Sequence, residues 1–130
     1  MNTTIDAATA VLTAVADRFG IRFAEVATGG GCMALEARLE SGHWIVATDE
    51  GLCSFRERIR FEADVDGFDP RYGEDRRALG WFVGIYEHNV EADTWMGSPD
   101  SLVNVCDYDA YAEDLPRLVG EALRALADTA

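Results

Sequence analysis

The side chains able to ligate a soft metal or act as a thiol or imidazole catalyst are Cys32, His43, Cys53, His88 and Cys106. Three or four of them converging would suffice for zinc. None stands at the close spacing, Cys-x-x-Cys or His-x-x-x-His, that lets one turn or one helix face supply two ligands. A cysteine nucleophile needs an imidazole beside it. Cys32, directly after Gly29-Gly30-Gly31, is the best placed, against the plainer reading of a small strand-start residue facing the core. Ser41, Ser54, Ser98 and Ser101 lack the strand-Ser-helix elbow of a serine hydrolase. The three glycines precede a strand, and the chain has no lysine for a P-loop, so they read as a turn feeding a hairpin. Asp64, Asp66, Asp69, Glu74 and Asp75 are dense, yet Phe68 and Asp69 stand where a calcium loop places its glycine. No catalytic residue, metal ligand or cofactor is assigned, and a non-enzymatic protein is expected.

Charge is more informative than any motif. The 130 residues carry a formal charge of −13, and all eleven basic residues are arginine. Such acidity disfavours direct binding to a nucleic-acid backbone, which requires a basic face to displace counterions. Residues 1–55 hold three arginines against seven acids, and residues 56–86 hold six against seven. From Glu87 to Asp114 there are eight acids and no base, and the last sixteen residues balance at two against two. Unpaired charge concentrated on one stretch destabilises a fold by self-repulsion, unless something basic meets it. Glu87, Glu91, Asp93, Asp100, Asp107 and Asp109, with Trp95 as an aromatic anchor, are therefore the candidate partner-binding residues. The plainer reading is an acidic surface carried as background.

Those residues must be positioned by a small set of elements. Ile5, Ala8, Leu12, Val15 and Phe19 recur at spacings of three and four, predicting a helix over Asp6–Phe19 that Gly20 ends. Ile21–Val26 is a short strand or connector. Met33, Leu35, Ala37 and Leu39 alternate with Ala34, Glu36, Arg38 and Glu40, the pattern of a half-buried strand. Ser41-Gly42 turns it into a partner strand over His43–Asp49. Phe55–Val65 fits either a helix or a strand, and its alternation of Phe55, Glu57, Ile59 and Phe61 with Arg56, Arg58, Arg60 and Glu62 favours the strand. Asp64–Arg77, dense in turn formers, reads as a long surface loop. Leu79–Tyr86 is an apolar run suited to an interior strand, and Thr94–Met96 and Leu102–Cys106 are short edge strands. A last helix starts near Asp114 with Pro116 in its first turn and buries Leu115, Leu118, Val119, Ala122, Leu123 and Leu126. The expected fold is α+β over residues 1–130 as one domain, a four- to five-stranded, mostly antiparallel sheet with both terminal helices on one face. The other face, with Phe82, Gly84 and Tyr86, is a candidate homodimer surface.

No stretch approaches the ~20 apolar residues of a membrane span, the start lacks the basic and apolar regions of a leader, and three widely spaced cysteines fit reduced thiols. A soluble cytoplasmic protein is expected.

The stretch Gly29–Leu35 followed by Trp44–Asp49 resembles small uncharacterised proteins of actinobacteria and their phages, and a lysine-free composition agrees with such a source. That resemblance implies an accessory protein that contacts a host or phage component, and no activity. In size, charge and helix-sheet-helix order the chain also resembles small acidic secretion chaperones. Three functions follow as expectations. The first is a protein-binding module, in its sharpest form a DNA mimic inhibiting a basic partner. The second is a chaperone-like or structural homodimer, and the third a thiol- or metal-dependent enzyme.

Overall fold

The first apolar stripe winds into α1 (Ala7–Phe19), with Ala8 and Val15 buried and Leu12 and Phe19 packed against the core. Gly20 ends it at a φ of 70°, a conformation that costs glycine nothing, and its N–H donates to the Ala16 carbonyl at 2.8 Å. A computed structural model describes residues 7–29, 32–49, 54–63, 68–69, 74–75, 80–87, 101–107 and 110–129.

Three strands follow: β1 (Ala24–Gly29), β2 (Cys32–Arg38) and β3 (Trp44–Thr48). The β2–β3 turn closes at Gly42, whose φ of 93° suits glycine, and Leu39 N–H donates to the His43 carbonyl at 2.7 Å. Then come α2 (Phe55–Ala63), a minimal ladder of β4 (Phe68–Asp69) on β5 (Glu74–Asp75), and β6 (Trp81–Tyr86). The chain finishes with β7 (Val103–Asp107), a 3₁₀ turn (Ala112–Asp114) and α3 (Leu115–Asp128). The main sheet has the order β1-β2-β3-β6-β7, with each neighbouring pair antiparallel. This is the α+β arrangement that the hydrophobic periods predict.

Register sorts the side chains by face. Leu35, Ala37, Ile45, Ala47, Val83, Ile85 and Val103 meet α1 and α3 in one core, where Leu115, Leu118, Val119 and Ala122 of α3 are all 0% exposed. Burying a Leu or Val side chain contributes roughly 1.5–3 kcal/mol, so α3 is fastened chiefly by its aliphatic stripe. On the opposite face Ala34, Val46 and Tyr86 form a second, small cluster with Val26 against it. There Phe82 and Tyr86 lean over Gly84, where a Cβ would lie 3.0 Å from Phe82 Cε1 and 3.1 Å from the Tyr86 hydroxyl.

Several expectations need correcting. Residues 55–63 are helical: Phe55, Arg58 and Ile59 share one face at helical spacing, and Ser54 with Glu57 forms a capping box. The strand reading followed an alternation that this cap overrides. Residues 34–37 of β2 are buried on both sides, Ala34 and Glu36 included, where alternation predicted one wet face. The 64–77 stretch contains the β4–β5 ladder instead of loop alone. Residues 94–96 lie outside the described residues. Among the described residues no helix is long and apolar enough to cross a membrane.

Candidate functional site

The acidic segment is only partly described. Glu91, Asp93, Trp95, Asp100 and Asp109 lie outside the described residues, and Glu87 and Asp107 lie within them. Glu87 is exposed just past the end of β6, whereas Asp107 stands opposite Trp81 at the other end of that strand. At ~3.3 Å per residue the two are roughly 20 Å apart, so these acids flank the β6–β7 ladder and do not form a cluster.

Asp107 is not an uncompensated charge. Arg117 of α3 donates from Nη2 to Asp107 Oδ2 and from Nη1 to Glu121 Oε2, each at 2.8 Å. These bonds raise the Arg117 pKa above its ordinary value, chiefly through Asp107 and then Glu121. The Arg117 side chain is half exposed, so the pair lies in solvent and is screened. Two further acids of the segment sit by α3: Glu113 is exposed, and Asp114 accepts the Tyr111 N–H at 2.9 Å. Asp114 occupies the N-cap position that the sequence predicts, but its carboxylate turns back to Tyr111 and leaves the first α3 amides.

The densest polar constellation lies under α2 and is one that sequence reasoning missed. Arg58 is 1% exposed, and its Nη1 donates to Asp49 Oδ2 at 2.9 Å from a position 5.4 Å from the Trp81 ring centre. Phe55 meets the same indole edge to face, with centroids 5.7 Å apart at 75°. The first α2 amide, Phe55 N–H, donates to Glu25 Oε2 of β1 at 2.5 Å, placing a carboxylate at the positive end of the helix. Glu25, Asp49, Ser54, Phe55, Arg58 and Trp81 line a void of about 10 Å³. That holds about one water, far below the 300 Å³ or more of a small-molecule site. The signal in sequence was the Ser54-x-x-Glu57 box, which marks the start of the helix that carries Arg58.

The other candidate chemistries are dispersed. His43 Nδ1 lies 2.7 Å from Ser41 Oγ in the exposed hairpin turn, and Glu87 borders the same open depression. Cys106 is a free, exposed thiol on β7, and the side chains of Cys32, Cys53 and His88 fall outside the described set. Among the described residues no three His, Cys, Asp or Glu side chains are placed to share a metal. Burial holds the Tyr86 hydroxyl above the usual tyrosine value of 10.0.

The sheet face proposed for dimerisation is largely closed within one chain. Val46, Ala34, Thr48, Gly84 and Tyr86 are buried and Phe82 is half-buried. The large apolar side chains exposed among the described residues are Leu102 at 43% and Tyr111 at 39%, one before β7 and one after it. No known protein family, no curated protein and no solved structure matches the chain.

Proposed function

We propose that the protein is a non-enzymatic, acidic protein-binding accessory module that engages a basic partner, in its sharpest form as a DNA mimic occupying a cationic groove of a phage or host protein. The carrying observation is the stretch from Glu87 to Asp114, eight acids without a base in a chain of net charge −13. The Arg117 pairing takes Asp107 out of the docking set. Glu87, Glu91, Asp93, Asp100 and Asp109 are left as the carboxylates to meet a cation, with Trp95 as the apolar anchor.

The test asks whether location or total charge matters. A synthetic oligoarginine peptide is titrated at low and high salt against two variants of equal net charge. One neutralises the segment (E87Q, E91Q, D93N, D109N) and the other neutralises acids elsewhere (D17N, E40Q, E50Q, D128N). The segment variant is expected to lose at least tenfold more affinity at low salt, with binding falling steeply as salt rises. Equal losses from both variants would reduce the acidity to background.

A second reading, the chaperone-like homodimer, is favoured by the order helix, three strands, helix, four strands, helix, which keeps the helix-sheet-helix order of the small acidic secretion chaperones. A dimeric mass in light scattering at micromolar concentration is its expected signature.

A further inference from the structure

We infer that the β2–β3 turn and the end of β6 form a binding site for a divalent transition-metal ion such as nickel or zinc, with His43 Nε2 and the Glu87 carboxylate as its protein ligands. The inference goes beyond the binding reading and shares only Glu87 with it.

The case rests on where the two side chains stand and on how the imidazole is held. Trp44 of β3 faces Tyr86 of β6, and His43 and Glu87 are the next residues outward, one just before β3 and one just after β6. Facing residues of an antiparallel pair stand about 4.5–5.5 Å apart at Cβ, a span that one ion with bonds of ~2.1 Å to each side chain can bridge. Ser41, Gly42, His43 and Glu87 line one open depression of about 320 Å³, so an ion there can keep several waters beside its two protein ligands. The turn is pinned by its backbone: Leu39 N–H donates to the His43 carbonyl at 2.7 Å, and Gly42 N–H to the Leu39 carbonyl at 2.9 Å. His43 is half-buried, and its Nδ1 lies 2.7 Å from Ser41 Oγ. A proton on Nδ1 is donated to that hydroxyl, and the lone pair then stands on Nε2. An imidazole that ligates a metal through one nitrogen donates from the other to an oxygen that fixes its tautomer, and Ser41 supplies that oxygen. The hydroxyl proton rotates to suit, so adopting this tautomer costs little. Imidazole with carboxylate suits zinc, copper or nickel, whereas magnesium and calcium take oxygen ligands alone. A net charge of −13 draws cations toward such a pair.

Nickel, which is paramagnetic, tests the site on the full chain by calorimetry and by the NMR signals that it broadens. At substoichiometric nickel the His43 and Glu87 amide signals are expected to fade, while those of Trp81 and Asp107, paired at the other end of the β6–β7 ladder, persist. His43→Ala should weaken binding by about tenfold or more and Glu87→Gln several-fold. Ser41→Ala should weaken it about tenfold, and Ser41→Thr should restore it. His88→Ala and Cys106→Ser should bind as the unaltered chain does, and an excess of magnesium should not displace the nickel. The inference is overturned if His43→Ala binds nickel as tightly as the unaltered chain, if His88→Ala or Cys106→Ser loses as much as His43→Ala, or if magnesium strips the metal. Should His43→Ala not fold, the position of the broadened signals on the unaltered chain decides the matter by itself.

Discussion

Two arginines each tie a helix to the end of a strand, and they do so under opposite conditions. Arg58 of α2 meets Asp49 with both side chains at or below 5% exposure, and Arg117 of α3 meets Asp107 with 50% and 29% exposed. The geometry is nearly the same, 2.9 Å against 2.8 Å. What differs is the surroundings. Around Arg117 the helix is already held by Leu115, Leu118, Val119 and Ala122, so the ion pair is an addition. Around Arg58 the described side chains of α2 add Phe55 in the core and Ile59 at its edge, and removing either partner of the ion pair would strand a charge out of water. An ion pair's weight thus comes from what else holds the element, and its length says little about it.

The contrast can be broken or sharpened by three measurements. Leu118→Ala should cost about 2–5 kcal/mol of global stability in urea, because it opens a cavity among fully buried side chains; a loss below ~1 kcal/mol would mean that α3 is not the principal clamp. The sheet face remote from α3 offers a control that responds to pH instead. The folded-state pKa of Tyr86 is raised by burial, so its contribution is whole below the unfolded value of 10.0 and is lost as pH rises through the higher folded value. The alkaline decline in melting temperature above about pH 10 should therefore be shallower in Tyr86→Phe. An identical decline in both proteins would show that the hydroxyl is not the titrating group. The smallest effect belongs to Arg117→Ala, under about 1 kcal/mol and shrinking with added salt. A larger, salt-insensitive loss would dissolve the distinction between the two arginines.

Much of this architecture was legible because its elements bury one side at a single period. Ala8 and Val15 in α1, Leu115 to Ala122 in α3 and the run through β6 announce themselves by spacing alone. Gly42 and Gly20 mark where the chain turns, since their positive φ values exclude most other residues. Helix α2 was not legible as a helix because Phe55, Glu57, Ile59 and Phe61 also alternate, and a two-residue period and a helical face can coexist in nine residues. The deciding signal was local, the Ser54–Glu57 box. Burial of Arg58 had no signal in the pattern, because an arginine among arginines reads as solvated until Asp49 is folded against it.

The candidate site was legible as a composition and not as a surface. Tallying charge by segment put Asp107 and Arg117 on opposite sides of a boundary, although folding β7 back onto α3 brings them into contact. A run of acids in sequence becomes an electrostatic feature only after the cations of neighbouring elements have been placed. Here one carboxylate is withdrawn by such a cation and Glu87 remains exposed, about 20 Å away along the sheet.

Helix α3, the last element described, supplies four fully enclosed side chains of the main core and packs on α1 from the far end of the sequence. On the ribosome, all five strands of the main sheet are therefore made before the helix that roofs them. Until α3 emerges, Val83, Ile85 and Val103 lack the cover that it gives them, and the nascent chain presents a sticky apolar slab. A product that stopped short of Leu115 would keep that slab uncovered and invite clumping.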